Sequence, residues 1–180
     1  MNNYELGIKY FYNKEYEKAL AVFLQILSAG FSQSVNYYNV ALAYDALGED
    51  ELAIAYYNKS AKLNPKDVRS LNNLSLVYSR RGDEKEAFAL LDKAIAINPN
   101  DAEAYSQLGT FYKKKGDYTM AENYYKKAAN LDSDFYYNYY ILAMLYVETD
   151  NIQKAKENLE KCLTIKNDFD PAIEVLGSLQ

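Results

Sequence analysis

Hydrophobic residues recur along this chain at spacings of three and four, the spacing that places side chains on one face of a helix. In the stretch SLNNLSLVYSRRG, such a face is formed by Leu71, Leu74 and Tyr78. The stretch that follows, DEKEAFALLDKAIAINP, shows the same spacing from Ala87 to Ile97. We therefore predict two helices here, joined at Gly82, because glycine suits the left-handed conformation that commonly ends a helix.

This helix pair is one of several copies that recur every 34 residues, as the positions of Gly48, Gly82 and Gly116 show. Lys14 and Asp150 take the place of glycine in the first and fifth copies. An alanine and a tyrosine recur with the same period, at Ala19, Ala53, Ala87, Ala121 and Ala155 and at Tyr10, Tyr44, Tyr78, Tyr112 and Tyr146. We expect the alanines to let paired helices approach closely, while aromatic side chains fill the wider gaps.

Prolines and aspartates mark where helices end and begin. Pro65 and Pro99 are predicted to stop the second helices of their copies, because proline disfavours a helical conformation in the residue before it. Aspartate side chains accept hydrogen bonds from the free N–H groups at a helix start. Four aspartates are therefore predicted to cap the helices that follow: Asp67, Asp101, Asp134 and Asp170.

The fourth copy carries aromatic, aliphatic and small residues at fixed places: Tyr105, Leu108, Gly109, Tyr112, Gly116, Tyr118, Ala121, Tyr125 and Ala128. In this order and at this period, the pattern resembles the tetratricopeptide repeat. The resemblance covers nearly the whole chain and implies an all-α fold, a right-handed superhelical solenoid of antiparallel helix pairs. It implies a single domain over residues 1–180, with units at about 2–33, 34–67, 68–101, 102–135 and 136–169 and a C-terminal helix at 170–180.

Composition narrows the classes of function. With 20 Lys and Arg against 25 Asp and Glu, the net charge of −5 offers no general attraction to nucleic acid. The chain has no histidine and one cysteine, Cys162. The usual general base, an activated thiol and the usual zinc ligands are therefore missing. We expect a protein that is not an enzyme and uses no metal or other cofactor, with Cys162 buried as a structural residue.

Hydropathy and the N-terminal segment bear on location. No stretch approaches the roughly eighteen consecutive apolar residues that suggest a membrane span, and we expect no insertion into a membrane. The segment MNNYELGIKYFYNKEYEKAL lacks the basic start, apolar block and cleavage site of a secretory signal. These observations predict a cytoplasmic location.

In tetratricopeptide repeats the first helices of the pairs line a concave groove, where ligands commonly lie. By this resemblance, the candidate ligand contacts are Tyr38, Asn39, Leu42, Arg69, Asn73, Leu76, Gln107, Thr110, Tyr140 and Met144. Asn39, Asn73 and Gln107 lie 34 residues apart and are predicted to form a row of amides, which suits the backbone of an extended peptide. Asparagine is also common at this place in the family, so inheritance of the repeat is a second explanation for the row.

Some members of the family hold the acidic C-terminal tail of heat-shock chaperones in a clamp of lysine, asparagine and arginine side chains. The corresponding positions here are Tyr4, Ile8, Asn39, Arg69 and Asn73 in the first three units and Tyr38, Leu42, Asn73, Glu103 and Gln107 in the next three. Without the lysines, a buried carboxylate would lack compensating charge. We therefore predict that the chain does not bind such tails.

Two hypotheses of function remain. The first is a non-catalytic scaffold or adaptor that binds another protein or a peptide in the groove, where aromatic and aliphatic anchors would supply most of the binding energy. The second is a self-assembling structural protein that forms homo-oligomers through its terminal helices. Apolar residues in the first and last helices motivate the second hypothesis: Tyr4, Ile8, Phe11, Val175 and Leu179.

Overall fold

The computed structural model of the chain describes residues 2–179. These residues form eleven α-helices and no strand. The helices are α1 (Asn3–Tyr12), α2 (Tyr16–Ser28), α3 (Ser34–Ala46), α4 (Asp50–Leu63), α5 (Arg69–Arg81), α6 (Glu84–Ile97), α7 (Ala102–Lys114), α8 (Tyr118–Leu131), α9 (Tyr136–Glu148), α10 (Ile152–Ile165) and α11 (Asp170–Ser178). The predicted all-α fold of five helix pairs followed by a C-terminal helix is confirmed.

The chain divides into two compact modules. The N-terminal module, which ends at Asn98, contains the pairs α1–α2, α3–α4 and α5–α6. Within it, α2 packs on α3 and α4 packs on α5, so each pair contacts the next through its second helix. The C-terminal module, which begins at Pro99, contains α7–α8, α9–α10 and α11. Here α8 packs on α9 and α10 packs on α11.

The turns inside all five pairs contain a residue in the left-handed conformation. Gly48, Gly82 and Gly116 have φ angles of 77°, 84° and 77°, as predicted for glycines that end a helix. Lys14 and Asp150, which replace glycine in the first and fifth pairs, adopt the same conformation with φ angles of 62° and 56°. The turn is therefore kept even where the residue disfavours it, which shows that packing of the two helices determines its shape.

The helix ends agree with the proline prediction but only partly with the aspartate prediction. α4 and α6 each end two residues before a proline. Asp101 is the N-cap of α7, and its carboxylate accepts a hydrogen bond from the Ala104 N–H at 3.4 Å. Asp67 lies one residue before the N-cap of α5, yet its carboxylate accepts from the Arg69 N–H at 3.2 Å.

The cap prediction was wrong for Asp134 and Asp170, because aromatic residues occupy the N-cap positions there. Phe135 is the N-cap of α9, and Phe169 is the N-cap of α11. Both rings pack against Tyr136, with centroids 5.6 and 4.9 Å away. This aromatic packing places the helix starts one residue beyond where an aspartate cap would put them in α9 and one residue before it in α11.

The core of each module is built from small and large residues in alternation. The alanine of each second helix is buried, as predicted: Ala19, Ala53, Ala87, Ala121 and Ala155. Four residues further along each second helix, a large apolar side chain is also buried: Phe23, Tyr57, Leu91, Tyr125 and Leu159. We call these five side chains the knobs.

Two knobs pack directly against a glycine of the facing helix. A Cβ atom built on Gly7 would lie 2.4 Å from Cε1 of Phe23, and one built on Gly109 would lie 2.4 Å from Cδ1 of Tyr125. Carbon atoms do not approach so closely without a shift of one partner. These two glycines therefore leave room for an aromatic ring, which is a different task from that of the glycines in the turns.

Candidate functional site

The candidate contacts of the N-terminal module converge on a polar network between α3 and α5. The Nε atom of Arg69 donates hydrogen bonds to the two carboxylate oxygens of Asp67, at 2.8 and 3.1 Å. The Arg69 guanidinium also lies over the ring of Tyr38, 5.1 Å from its centroid. Hydrogen bonds from Arg69 hold the pKa of Asp67 below its usual range, although partial burial acts in the opposite direction. The network therefore keeps an arginine charge in a defined, solvent-accessible position.

Asn73 completes this network. Its side-chain Nδ2 donates to the hydroxyl of Tyr38 at 2.9 Å and to the backbone carbonyl of Arg69 at 3.1 Å. The amide has two N–H groups, and both are engaged by these bonds. The side-chain oxygen of Asn73 takes no part in them, so it is the group that this residue offers to a ligand N–H.

Asn39 has the opposite arrangement. It lies next to Tyr38 on α3, and only 4% of its surface is exposed. Its Nδ2 atom is buried without a hydrogen-bond partner among the residues that the structure describes. An unsatisfied buried donor costs about 1–3 kcal/mol. Asn39 therefore offers a donor, and Asn73 an acceptor, on adjacent helix pairs.

Aliphatic side chains flank the network. Leu42 is half-buried against the core around Tyr57, whereas Leu76 is 43% exposed. On the same helices, Arg80 donates from Nη2 to Asp45 at 2.8 Å and to Asp50 at 2.5 Å. The surface formed by Tyr38, Asn39, Leu42, Arg69, Asn73 and Leu76, which we call the N-terminal surface, thus combines apolar area with fixed polar groups.

The candidate contacts of the C-terminal module have a different character. Gln107 donates from Nε2 to Glu103 at 3.3 Å, one turn away on α7. The hydroxyl of Thr110 donates to the Ser106 carbonyl at 3.2 Å and lies 3.0 Å from the hydroxyl of Tyr125. These polar groups are bound to neighbours on their own helix pair, and Gln107 belongs to a different module from Asn39 and Asn73.

Aromatic rings dominate the remainder of that module's candidates. Tyr140 packs against Phe169 with centroids 5.1 Å apart and planes at 90°, and against Tyr137 with centroids 5.7 Å apart. Met144 is half-buried one turn further along α9. Sequence analysis missed Asp67 and Phe169 as contributors to these surfaces. The run of aromatic residues at the start of α9 was a signal that could have revealed the aromatic cluster, whereas nothing in the local sequence marks the role of Asp67.

Potential metal ligands and nucleophiles do not form a site in the described part of the chain. No group of three or more His, Cys, Asp or Glu side chains within residues 2–179 is arranged to hold a metal ion. Cys162 is buried, and burial raises the pKa of its thiol, so the thiolate form is disfavoured. None of the helices in this range combines the length and hydrophobicity that a membrane crossing requires.

Comparison with family models bears on the repeat pattern directly. Three models described as tetratricopeptide repeat match the chain, one at residues 35–67 and 136–169, one at 68–98 and one at 90–123. The chain belongs to the tetratricopeptide repeat family. Tetratricopeptide repeats are generally a non-catalytic fold that binds other proteins, and this is the general class of function to which the chain is assigned.

Solved structures of other tetratricopeptide repeat proteins share the fold. A thermophilic protein of Thermus thermophilus superposes with a TM-score of 0.86 at 23% identity, over 99% of this chain and 97% of that one. PilF of Pseudomonas aeruginosa gives 0.76 at 18% identity, over 94% and 78%. MamA from Desulfovibrio magneticus RS-1 gives 0.66 at 21% identity, over 93% and 95%. Among curated proteins, no sequence matches this chain at a significant level.

Proposed function

We propose that this tetratricopeptide repeat protein is a non-catalytic adaptor that binds an extended segment of another protein along the first helices of its pairs. The N-terminal surface is the main contact in this proposal. Tyr38, Leu42 and Leu76 supply apolar area, Arg69 supplies a positive charge, and Asn39 and Asn73 supply hydrogen bonds to the ligand backbone.

The observation that carries the proposal is the unsatisfied Nδ2 of Asn39 beside the network that orients Asn73. An extended peptide presents N–H and C=O groups in alternation. A donor on α3 and an acceptor on α5 match that alternation without reading the ligand's side chains. Satisfying the buried amide would remove a cost of about 1–3 kcal/mol, which favours the bound state.

Preorganisation adds to this argument. Tyr38 is held by Asn73 and by the Arg69 guanidinium, and Arg69 is held by Asp67. Side chains that are already ordered lose less entropy when a ligand binds. Aromatic and arginine side chains are also the types that most often dominate binding energy. Tyr140 and Met144, with Gln107 and Thr110, are proposed as additional contacts in the C-terminal module.

The charge of the N-terminal surface limits the ligand. Arg69 is the one basic residue among the proposed contacts, and Asp67 already neutralises part of its field. A ligand with two carboxylates would therefore leave charge uncompensated. We propose a ligand with at most one acidic group at this position, which is unlike the acidic tail of a heat-shock chaperone.

Selection of peptides displayed on phage, from a library of random unstructured heptamers, tests the proposal. Peptides enriched on the wild-type protein should lose affinity for Asn73→Ala by about tenfold, since a hydrogen bond in a desolvated contact is worth about 0.5–1.5 kcal/mol and Tyr38 also loses its partner. The melting temperature should change little, because Asn73 is half-buried. Asn58→Ala, at an exposed amide on α4 of the same module, is the matched control and should bind normally.

Two outcomes would contradict the proposal. If no peptide is enriched over an unrelated helical protein, the N-terminal surface does not bind extended segments. If enriched peptides bind Asn73→Ala and wild type equally, the amide is an inherited repeat residue without a role in binding.

A further inference from the structure

The C-terminal helix α11 has the features of a first helix without a second helix packed on it. Gly177 lies 34 residues after Ala143 and two periods after Gly109, at the place where first helices meet a knob. In the complete pairs this place is filled, with Phe23 against Gly7 and Tyr125 against Gly109. A Cβ built on Gly177 meets no atom within 4 Å. The space that a knob occupies elsewhere is open on α11.

The exposed part of α11 extends beyond Gly177. Ile173 is 47% exposed, whereas the residues at the same place in α5 and α7, Leu71 and Tyr105, are 4% and 6% exposed. Tyr105 is covered by Tyr124 of α8, with stacked rings 6.2 Å apart. Ile173 and Gly177 therefore form an apolar strip that corresponds to a buried strip in the complete pairs. We call it the α11 strip.

The opposite side of α11 is firmly attached. Ala172 is fully buried, in a cluster with Cys162 and Leu159 of α10. Val175 and Leu179 pack against the same cluster. The helix is thus held in place by α10 while the α11 strip faces away from it, so the strip is a preformed surface and not the side of a loose helix.

The complete pairs also show what kind of helix fits such a strip. Each second helix carries a small residue and, four residues later, a knob, as Ala121 and Tyr125 do in α8. The small residue allows close approach of the helix backbones, and the knob enters the space beside the small residue of the first helix. An amphipathic helix with alanine followed four residues later by Phe, Tyr or Leu has this shape.

A second copy of this chain lacks such a helix in free form. All five knobs are buried within their own pairs, as Phe23, Tyr57 and Tyr125 illustrate. The first helix of a second copy is no substitute, because α1 carries Glu5 and Lys9 where α11 carries Val175 and Leu179. These polar residues make that side of α1 a poor partner for an apolar strip. The occupant must therefore come from a different protein.

We propose that the α11 strip is a second binding surface, separate from the N-terminal surface, and that it binds an amphipathic helix of a partner protein with the alanine-to-knob spacing. The partner helix completes a sixth pair in trans, with its knob against Gly177. This mode of binding is helix-in-groove recognition. It does not depend on the proposed binding of extended segments, which uses other residues and another module.

The helix α8 of this chain supplies a probe, because it already covers the equivalent strip of α7. A synthetic peptide of residues 117–133 is added in millimolar excess to the ¹⁵N-labelled full-length protein. The backbone amide signals of Gly177 and Gly109 are then followed by NMR, which detects weak binding by a short helix. The expected result is a saturable shift of the Gly177 signal with the Gly109 signal unchanged, and a loss of about tenfold in affinity when the peptide carries Tyr125→Ala.

Two variants of the protein sharpen the test. Gly177→Leu fills the open space, and since nothing lies within 4 Å it should fold normally while losing peptide binding at least about tenfold. Ser178→Leu adds the same side chain one residue further along, at an exposed position, and should bind as the wild type does. Asn73→Ala should also leave peptide binding intact, which separates this test from that of the N-terminal surface.

Three results would overturn the proposal. The first is an unchanged Gly177 signal at saturating peptide. The second is a shift at Gly109, which would mean that the peptide displaces α8 and that the strip has no preference for it. The third is a Gly177 signal that changes with protein concentration alone while light scattering shows a doubled mass, since a second copy would then cover the strip.

Discussion

The helices α7 and α11 carry a glycine at the same place in the repeat, yet the two glycines have opposite surroundings. Gly109 on α7 is in contact with the ring of Tyr125, and Gly177 on α11 meets nothing within 4 Å. The difference shows that a repeat position has no fixed physical role. The same residue is a packing requirement when a second helix is present and an open binding position when it is absent.

The strongest way to break this comparison is to remove the side chain that fills the α7 site. Tyr125→Ala should destabilise the protein by about 3–5 kcal/mol, as expected for loss of a large buried ring. Urea unfolding followed by circular dichroism measures the change. Tyr118→Ala, at a more exposed tyrosine of the same helix, is the control and should cost far less. A similar loss in both variants would contradict the packing role of Tyr125.

The same substitution at the two glycines should have opposite effects. Gly109→Ala is expected to destabilise by about 1–2 kcal/mol, because crowding against Tyr125 outweighs the better helix propensity of alanine. Gly177→Ala is expected to stabilise by up to about 1 kcal/mol, since only helix propensity changes there. Thermal unfolding of both variants measures the difference. Equal effects would mean that the open space at Gly177 closes in solution.

The smallest expected effect concerns pH. Burial, the main cause, raises the pKa of the Tyr125 phenol, and tyrosines in the unfolded chain ionise near pH 10. The folded state therefore binds this proton more tightly. Its stabilising contribution is complete below about pH 10 and is lost as the pH rises from there through the folded pKa.

Urea unfolding at a series of alkaline pH values measures this effect. Tyr125→Phe should reduce the decline in unfolding free energy above about pH 10, although other buried tyrosines such as Tyr57 maintain part of it. Gly177→Leu should leave the decline unchanged, because α11 contains no tyrosine. An identical pH profile for Tyr125→Phe and wild type would show that Tyr125 ionises equally in both states.

Much of the fold could be predicted from the sequence because it depends on period. The 34-residue spacing identifies the helix pairs, their turns and the buried alanines without knowledge of distant contacts. The caps at Asp134 and Asp170 could not be predicted in the same way. Phe135 and Phe169 start those helices because their rings pack on Tyr136, and the contact of Phe169 with Tyr136 joins residues that are far apart in the sequence.

The candidate site was predictable only at the level of position. The period assigns Asn39 and Asn73 to equivalent places, but it does not show that one amide is buried and unsatisfied while the other is held by Tyr38. Such differences arise from side-chain conformations and from neighbours on another helix. The open space at Gly177 is likewise a property of what is not packed there, which no residue type encodes.

The left-handed turn at Lys14 has a consequence for the order in which the molecule melts. In a residue other than glycine this conformation costs about 1–2 kcal/mol, and aspartate, as at Asp150, tolerates it better than lysine does. The hairpin of α1 and α2 therefore begins with a handicap, and α1 is also one of the shortest helices, at 10 residues. We expect this hairpin to fray and reclose while the other pairs of its module stay folded, so its amide hydrogens should be the first of that module to exchange with solvent.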